Sequence, residues 1–242
     1  MTHDRITPGS THPNRPLPSS EVFITADQIL MDHAPNIVQA AEDGIADVAA
    51  LMRYPLRVRV VGSIWAEGEY GSTQWFTERA EIADPSGVHQ GKLLYDVIHR
   101  DLSEDPNRHE APHTGYMLLG RDLTAVGPRN KVMNFIFGAT DKEIGQSVQS
   151  IARFLEAGLD QEQLTDVTRH IARHEFGHLV GLDDSTIKNQ DNRGGIYHGH
   201  CANDCTMHQV DSVKEAVDLA EKLKHAHNAG FCDDCTGILA EK

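Results

Sequence analysis

The chain has 242 residues, a length that fits one large domain or two small ones. Its 36 acidic residues outnumber its 22 basic ones, and the net charge of −14 repels phosphate backbones and anionic lipid headgroups. No stretch approaches the roughly 18–20 consecutive apolar residues that span a bilayer. We therefore expect neither nucleic acid nor a membrane among its partners.

The N-terminal segment is rich in proline and poor in apolar residues. Residues 1–20 contain four prolines and no apolar core of the kind found in secretory signals. We interpret them as a disordered tail, and we expect a cytoplasmic protein in which residues 21–242 form a single domain. In the cytoplasm, four cysteines are more readily explained as metal ligands or free thiols than as disulfides.

Hydrophobic periodicity predicts helical structure first, then strands, then helices again. Residues 26–52 have an apolar face at helical spacing that Pro35 interrupts, which predicts two helices or one kinked helix. Alternating or continuous apolar runs predict strands at residues 56–65, 75–82, 93–98 and 116–119, with a turn at 84–87 and a further apolar run at 131–137. Later helices are predicted at residues 141–157, 160–180 and 210–227, so the fold class is α+β.

The helix predicted from residue 160 has clear start and stop signals and carries a histidine pair. Asp160 and Gln163 have the form of a capping box, and Gly181 suits the end of the helix. His174 and His178 lie four residues apart, so on a helix their imidazoles point in the same direction and extend its apolar face. Two neutral imidazoles that face a core are costly unless they bind a divalent metal ion such as zinc.

Glu175 directly follows the first of these histidines and is the candidate catalytic residue. Its carboxylate would lie beside the open position of the metal, where it can take a proton from water that zinc has acidified. The surrounding motif has the metzincin form of the zinc-peptidase helix, with Gly181 as its turn residue, except that Asp184 replaces the final histidine.

The four cysteines form two close pairs in the C-terminal part of the chain. The pairs are Cys201 with Cys205 and, after a gap of 26 residues, Cys232 with Cys235. This spacing fits a tetrahedral structural zinc site to which each pair supplies two thiolates. Two disulfides are the alternative, which a cytoplasmic location disfavours.

The order of these motifs resembles the archaemetzincin family of zinc peptidases. The zinc helix is followed by the pair His200-Cys201, then by a Cys-x-Met segment that ends at Met207, and later by a Cys-x-x-Cys segment. Two upstream segments, residues 120–123 and 134–138, are also similar to segments of the family. The resemblance covers about residues 115–235, half of the chain.

The resemblance implies a metzincin-like catalytic domain in which a mixed, twisted sheet packs on the zinc helix. An N-terminal subdomain would extend to about residue 181, and a small helical subdomain with a structural zinc would comprise residues 182–242. Two zinc ions are implied, one catalytic and one held by the four cysteines. The resemblance also makes residues 134–138 the edge strand of a cleft that binds a peptide or protein substrate, and Met207 the floor beneath the catalytic zinc.

The third ligand of the catalytic zinc is where this sequence departs from the family pattern. The family has a histidine at the last motif position, directly before the first cysteine, whereas here that position is Asp184 and the histidine before Cys201 is His200. We favour His200, because a neighbour fixed to the structural zinc holds it in place; Asp184 and, more weakly, His198 are the alternatives. The predicted metal ligands are therefore His174, His178, His200, Cys201, Cys205, Cys232 and Cys235.

Together these features predict a zinc metallopeptidase that uses Glu175 as general base and acid. Tyr197 is a further candidate, as a hydrogen-bond donor to the oxyanion. The alternative function is a non-catalytic zinc-binding interaction module on a peptidase scaffold, which a closed site with both Asp184 and His200 on the zinc would favour. A secreted, disulfide-stapled protease does not fit the N-terminal sequence.

Overall fold

The computed structural model describes residues 17, 19–61, 71–83, 89–110, 112–127, 131–191, 193 and 199–242. Their secondary structure is mixed, with helices packed on both faces of a mixed sheet, and this confirms the predicted α+β class. The predicted tail at residues 1–20 lies almost wholly outside the described residues, as does the predicted turn at 84–87.

The main sheet has five strands in the part of the chain that the structure describes. These strands are β1 (Glu21–Ala26), β2 (Arg57–Val60), β4 (Thr114–Leu119), β6 (Gly138–Asp141) and β7 (Gln146–Ser150), and a smaller sheet joins β3 (Leu93–Leu94) to β5 (Leu123–Thr124). The main order is β2-β1-β4-β7-β6, and all pairs are parallel except β6, which runs antiparallel to β7 at one edge. In the middle of the sheet Tyr116 pairs with Ile24 on one side and with Ser147 on the other.

The helices of the described residues lie between and after these strands. They are α1 (Gln28–His33), α2 (Pro35–Met52), α3 (Thr73–Ala80), α4 (Tyr95–Ser103), α5 (Pro106–Glu110), α6 (Ala152–Glu156), α7 (Gln161–Leu179), α8 (Val213–Leu223) and α9 (Asp233–Ala240). Pro35 begins α2, where its missing N–H group is harmless, so of the two predicted alternatives the structure has two helices rather than one kinked helix. Among the described residues, no helix combines the length and apolar character that a bilayer crossing requires.

Strand β4 lies in the core and is buried along its whole length. Tyr116 and Leu118 belong to the apolar cluster that α2 and α7 cover, whereas Met117 and Leu119 belong to the cluster that α3 and α4 cover. A strand with both faces covered reads as a continuous apolar run rather than as an alternating one, which is the pattern of this segment.

Helix α7 is held from behind by α2. Gly44 permits their close approach, because a Cβ atom at this position would lie 2.6 Å from the carbonyl oxygen of Arg169. Beside it, the Asp47 carboxylate accepts hydrogen bonds from Arg169 at 2.8 Å and from Arg173 at 2.7 Å. One side of α7 is therefore fixed in the core, and another side is available to a cleft.

Two predicted strands are helical in the structure. Residues 75–82 lie mostly in α3, which begins after Ser72, whose hydroxyl accepts a hydrogen bond from the N–H of Trp75 at 3.0 Å. Residues 93–98 are extended only in β3 and continue as α4. Apolar spacing over so few residues does not separate strand from helix, and the capping serine was the signal that the prediction missed.

The predicted helix at residues 141–157 is wrong, since most of it forms a hairpin. The Asp141 carboxylate accepts hydrogen bonds from the N–H groups of Glu143 at 2.7 Å and Ile144 at 3.2 Å, and Gly145 has a φ of 69°. These features turn the chain from β6 into β7. The apolar residues with helical spacing belong to three different elements, the turn, strand β7 and the short helix α6. Their spacing is therefore coincidental.

The edge strand of the main sheet begins later than predicted. Residues 131–137 contain only isolated bridges, from Val132 and Ile136, and the regular strand starts at Gly138. Lys92 anchors the preceding segment, because its Nζ donates a hydrogen bond to the carbonyl oxygen of Asn134 at 2.6 Å. The predicted edge strand at 134–138 is therefore replaced by β6.

Candidate active site and a second cluster of metal-binding side chains

Helix α7 forms as the sequence predicts and places the histidine pair. Asp160 and Gln163 make a reciprocal capping box, and Gly181, with a φ of 93°, turns the chain after the helix ends. His174 and His178 lie one turn apart, and their Nε2 atoms are 3.2 Å from each other.

Backbone carbonyl groups orient both imidazoles. The Nδ1 atom of His174 lies 2.8 Å from the carbonyl oxygen of Thr206, and that of His178 lies 2.8 Å from the carbonyl oxygen of Leu182. Because a carbonyl oxygen only accepts hydrogen bonds, each Nδ1 carries the proton and donates it. Each Nε2 therefore presents a lone pair, as in metal sites whose histidines are oriented by their second nitrogen.

His200 completes the cluster with a third imidazole, whose Nε2 is 3.2 Å from that of His178. The residue before it, Gly199, lies beside the segment that follows helix α7. Gly199, with a φ of 79°, lies so close to the earlier chain that a Cβ atom would be 3.3 Å from the backbone nitrogen of Asp184. This close approach brings His200 to the position that sequence spacing gave to Asp184, which is exposed and outside the cluster.

The three imidazoles have the spacing of a zinc site. Zinc binds histidine nitrogen at about 2.0–2.1 Å, so two such nitrogens in a tetrahedral site are ~3.3 Å apart. Burial, and then repulsion by the neighbouring imidazoles, lowers the pKa of His174 well below 6.5 and that of His178 to about 4. Both are thus neutral and able to bind a cation at neutral pH. Within the described residues no fourth donor joins this group, which is typical of catalytic sites.

Glu175 lies between the histidine cluster and β6. The hydroxyl of Thr140 donates a hydrogen bond to one carboxylate oxygen at 2.8 Å. Gly138 leaves room for the carboxylate, because a Cβ atom there would lie 2.4 Å from the other oxygen. Burial raises the pKa of Glu175 to about 7, against the smaller opposing effect of the Thr140 hydrogen bond. A carboxyl group with a pKa near neutrality is suited to accept and release a proton.

The cluster opens into a cleft of about 1070 Å³. Edge strand β6 and residues 134–137 line it together with the three histidines and Glu175. The lining is rich in carboxylates, several of which have partners; His99, for example, binds Asp141 at 2.6 Å. The acidic side chains besides Glu175 are Asp96, Asp141, Glu143, Asp183, Asp184 and Asp211.

Met207 lies beneath α7 and is completely buried. Gly177 makes room for it, since a Cβ atom at that position would lie 2.6 Å from the methionine sulfur. Gly177 is on the helix between His174 and His178, so the methionine is placed where the resemblance implies a floor under the histidine pair.

The second cluster contains the four cysteines. Their Sγ atoms all lie within 4.8 Å of one another, and those of Cys201 and Cys232 are 3.8 Å apart. Four thiolates about 2.3 Å from a tetrahedral zinc ion are ~3.8 Å apart, so this donor set fits zinc. Cys201, Cys205, Cys232 and Cys235 are free thiols, which contradicts the disulfide alternative.

The structure thus brings the seven predicted ligands into two groups and places Glu175 in the cleft beside the histidines, while Tyr197 and His198 lie outside the described residues. Sequence reasoning missed Thr140, because only sheet pairing brings it to the zinc helix. It also missed His170, which lines the cleft one turn before His174. The four-residue step between the histidine pair, continued backwards, was the signal that could have identified His170.

The comparisons with known proteins agree with this geometry at the level of the fold. No protein-family model matches the sequence, and no curated protein is significantly similar to it. Solved structures are similar over 90% of this chain. They include an archaemetzincin from Methanopyrus kandleri (20% identity, 92% of that chain, TM-score 0.54), a zinc-dependent peptidase from Methanocorpusculum labreanum (17%, 99%, 0.52) and an archaemetzincin from Archaeoglobus fulgidus complexed with malonate (19%, 98%, 0.52).

The chain therefore has an archaemetzincin-like fold. The similarity extends well beyond residues 115–235, the part in which the sequence motifs are found. The region of structural similarity also includes N-terminal strands and helices, whose sequence shows no resemblance to a family that we can name.

Proposed function

We propose that the chain is a zinc-dependent metallopeptidase that binds two zinc ions and hydrolyses peptide bonds. The observation that carries the proposal is the convergence of three histidine Nε2 atoms and the buried Glu175 carboxylate on one cleft. The catalytic zinc would be held by His174, His178 and His200, and the structural zinc by Cys201, Cys205, Cys232 and Cys235. The zinc-dependent peptidase among the structural neighbours supports this assignment.

In the proposed reaction the metal ion and the side chains of the protein have different roles. A zinc ion held by the three histidines would supply Lewis acidity, which lowers the pKa of water and polarises a carbonyl group. The Glu175 carboxylate accepts a proton from the attacking water and then gives it to the leaving amine. Thr140 and Gly138 keep that carboxylate in place, the first by its hydrogen bond and the second by leaving space.

The substrate would bind as an extended peptide along β6. This strand is at the edge of the main sheet and pairs with β7 on its inner side. The residues of β6 line the cleft, so backbone groups there are available to a peptide that adds to the sheet. A peptide in this position passes directly in front of Glu175, whose carboxylate contacts Thr140 of the same strand.

The position of Asp184 bears on the alternative function, a non-catalytic zinc module. A closed site would need a fourth protein ligand, and Asp184 was the candidate from sequence. Its side chain is exposed, and the described residues that approach the three histidines include no further donor. An open site with a buried general base favours catalysis over a purely structural role.

The test replaces the general base without changing its size. We expect Glu175→Gln to keep the fold and both metals while it lowers the initial rate of peptide hydrolysis by roughly two to four orders of magnitude. The matched control is Glu162→Gln, an exposed position on the same helix, which should hydrolyse peptides at the wild-type rate. The measurement is cleavage of a peptide library by zinc-loaded protein, followed by mass spectrometry. If the wild type cleaves no more than Glu175→Gln, the zinc-module function replaces the peptidase.

A further inference from the structure

Ser147 is a buried polar residue of β7 to which the proposed reaction gives no role. It pairs with Thr140 across the antiparallel strands β6 and β7, and no part of it is exposed to solvent. Its hydroxyl oxygen lies 2.9 Å from that of Thr140 and 3.5 Å from the main-chain carbonyl oxygen of Glu175. Alanine would occupy nearly the same space without a buried polar group, so the hydroxyl is explained by the groups that it contacts.

The hydrogen bonds of these two hydroxyl groups have a single direction. An ionised carboxylate can only accept hydrogen bonds, so Thr140 donates its one hydroxyl hydrogen to Oε2 of Glu175 at 2.8 Å. Because that hydrogen is used, Ser147 is the donor in its own contact with Thr140. A chain of two hydrogen bonds therefore runs from Ser147 through Thr140 to the carboxylate.

Ser147 affects which acceptor Thr140 binds. The Thr140 hydroxyl has a second acceptor within reach, the main-chain carbonyl oxygen of Glu175 at 3.0 Å. A hydroxyl group that accepts a hydrogen bond becomes a stronger donor, because successive hydrogen bonds polarise one another. The gain is larger for a charged acceptor than for a neutral one. The hydrogen bond from Ser147 therefore favours the carboxylate over the carbonyl group as the partner of Thr140.

The orientation of the Glu175 carboxylate depends on this hydrogen bond. Among the described residues, Thr140 is the side chain that donates to the carboxylate, and it binds Oε2. The other oxygen, Oε1, lies next to Gly138, where the missing side chain leaves space. With Oε2 held, the carboxylate does not rotate, and Oε1 stays available to a group in the cleft that Glu175 lines. A proton acceptor with a fixed orientation reacts faster than one that rotates.

We propose that Ser147 is a positioning residue that acts through Thr140 to fix the orientation of the Glu175 carboxylate. The inference rests on the proposed function in that it takes Glu175 as the general base. Ser147 is buried behind β6 and does not line the cleft, so its effect on the reaction is indirect.

Crystal structures of zinc-loaded variants test the inference without any turnover. Ser147→Ala should leave the Glu175 carboxylate in more than one orientation, or lengthen its contact with Thr140, whereas the wild type should have one orientation. The matched control is Ser150→Ala, which removes a buried hydroxyl of the same strand that donates to the carbonyl oxygen of Arg121 at 2.7 Å. The control should have the wild-type carboxylate. An unchanged carboxylate and an unchanged Thr140 contact in Ser147→Ala would overturn the inference.

Peptide hydrolysis by single and double variants tests whether Ser147 acts through Thr140. Thr140→Val should lower kcat about tenfold with KM unchanged, the order expected for one hydrogen bond to a charged group, and Thr140→Ser should keep kcat near the wild-type value. Ser147→Ala should lower kcat about threefold, again with KM unchanged. In the Thr140→Val protein the same Ser147→Ala change should have no further effect, because the connection to Glu175 is already broken.

Thermal unfolding and zinc content distinguish positioning from a structural role. Both serine variants lose one buried hydrogen bond, so their Tm values should fall by similar amounts, yet only Ser147→Ala should lower kcat, and both should bind as much zinc as the wild type. Equal kcat values for the two serine variants, or a loss from Ser147→Ala that is the same with and without the Thr140 hydroxyl, would refute the inference. Failure of the peptidase function would instead appear as equal hydrolysis by wild type and Glu175→Gln, and the carboxylate orientation in the crystals would still decide the role of Ser147.

Discussion

The histidine cluster and the cysteine cluster are joined by a single peptide bond, yet they differ in construction. The first has three imidazoles at the wall of an open cleft, each available through one nitrogen. The second has four thiols, three of them on fully buried residues, at the start of the C-terminal helix α9. A metal site in which protein atoms fill every coordination position stabilises the fold. A metal site with a free coordination position can also bind water or substrate and catalyse a reaction.

The two clusters also depend on each other unequally. His200 directly precedes Cys201, so a metal ion bound by the cysteines would fix the position of the third histidine. The histidine pair on α7 is held by the helix and by two carbonyl groups, that of Leu182 and that of Thr206, which directly follows Cys205. Loss of the cysteine site should therefore disturb the histidine site, and the reverse effect should be much smaller.

The largest expected effect comes from breaking the cysteine cluster. Cys235→Ser removes one of the four thiolates and should lose the structural zinc. The binding free energy of such sites, about 10–16 kcal/mol, also stabilises the folded state, so the variant should be less stable. We expect a loss of several kcal/mol in unfolding free energy, a decrease in Tm of ~10 °C or more, and weaker zinc binding at the histidine site. Zinc content per chain and thermal unfolding measure these effects.

The matched variant at the other cluster is His178→Ala. It should lose one zinc ion and peptidase activity, retain the zinc ion of the cysteines, and change Tm far less than Cys235→Ser does. Equal destabilisation by the two variants, or unchanged Tm in Cys235→Ser, would contradict the division into a structural and a catalytic site.

A smaller effect is expected at the interface that holds α7 against α2. Hydrogen bonds from Arg169 and Arg173 outweigh the effect of burial and keep the pKa of Asp47 below its ordinary value of 3.8. Asp47→Asn should lower the free energy of unfolding at pH 7 by ~1–2 kcal/mol. A lowered carboxyl pKa contributes stability above the unfolded-state value, and this contribution is lost as the pH falls through the folded-state value.

The difference between wild type and Asp47→Asn should therefore be complete at pH values well above 3.8, and it should be lost as the pH falls below 3.8 through the lowered folded-state pKa. Denaturant titrations at several pH values measure it, and Asp218→Asn, which removes an exposed pair with Lys214, is the control that should leave stability unchanged. A difference that persists at the lowest pH would show that Asp47 acts through packing rather than through charge.

The parts of the site that were predictable from sequence depend on short-range spacing. His174, His178 and the capping box lie on one helix, and each cysteine pair lies within a few residues, so local geometry sufficed. Thr140 and Gly138 were not predictable, because they reach Glu175 only through the antiparallel pairing of β6 with β7. Spacing alone did not distinguish His200 from Asp184 as the third member of the cluster, and in the structure it is His200 that lies beside the histidine pair.

The fold predictions failed where elements are short or where their buried positions are polar. Strand β7 contains buried glutamine and serine side chains, so it gave no apolar alternation and was assigned to a helix. The segments that became α3 and α4 have few apolar residues each, and their spacing fits a strand as well as a helix. In contrast, α7 has nineteen residues with consistent periodicity and both end signals, and its prediction was confirmed.

The most direct test of the account is an anomalous difference map at the zinc absorption edge from crystals of zinc-loaded protein. Two separate peaks are predicted, one within bonding distance of the Nε2 atoms of His174, His178 and His200 and one among the four cysteine sulfurs. The first zinc ion should keep a coordination position that no protein atom fills. A single peak, or a carboxylate of Asp184 bound in that position, would contradict the assignment of an open catalytic site beside a closed structural one.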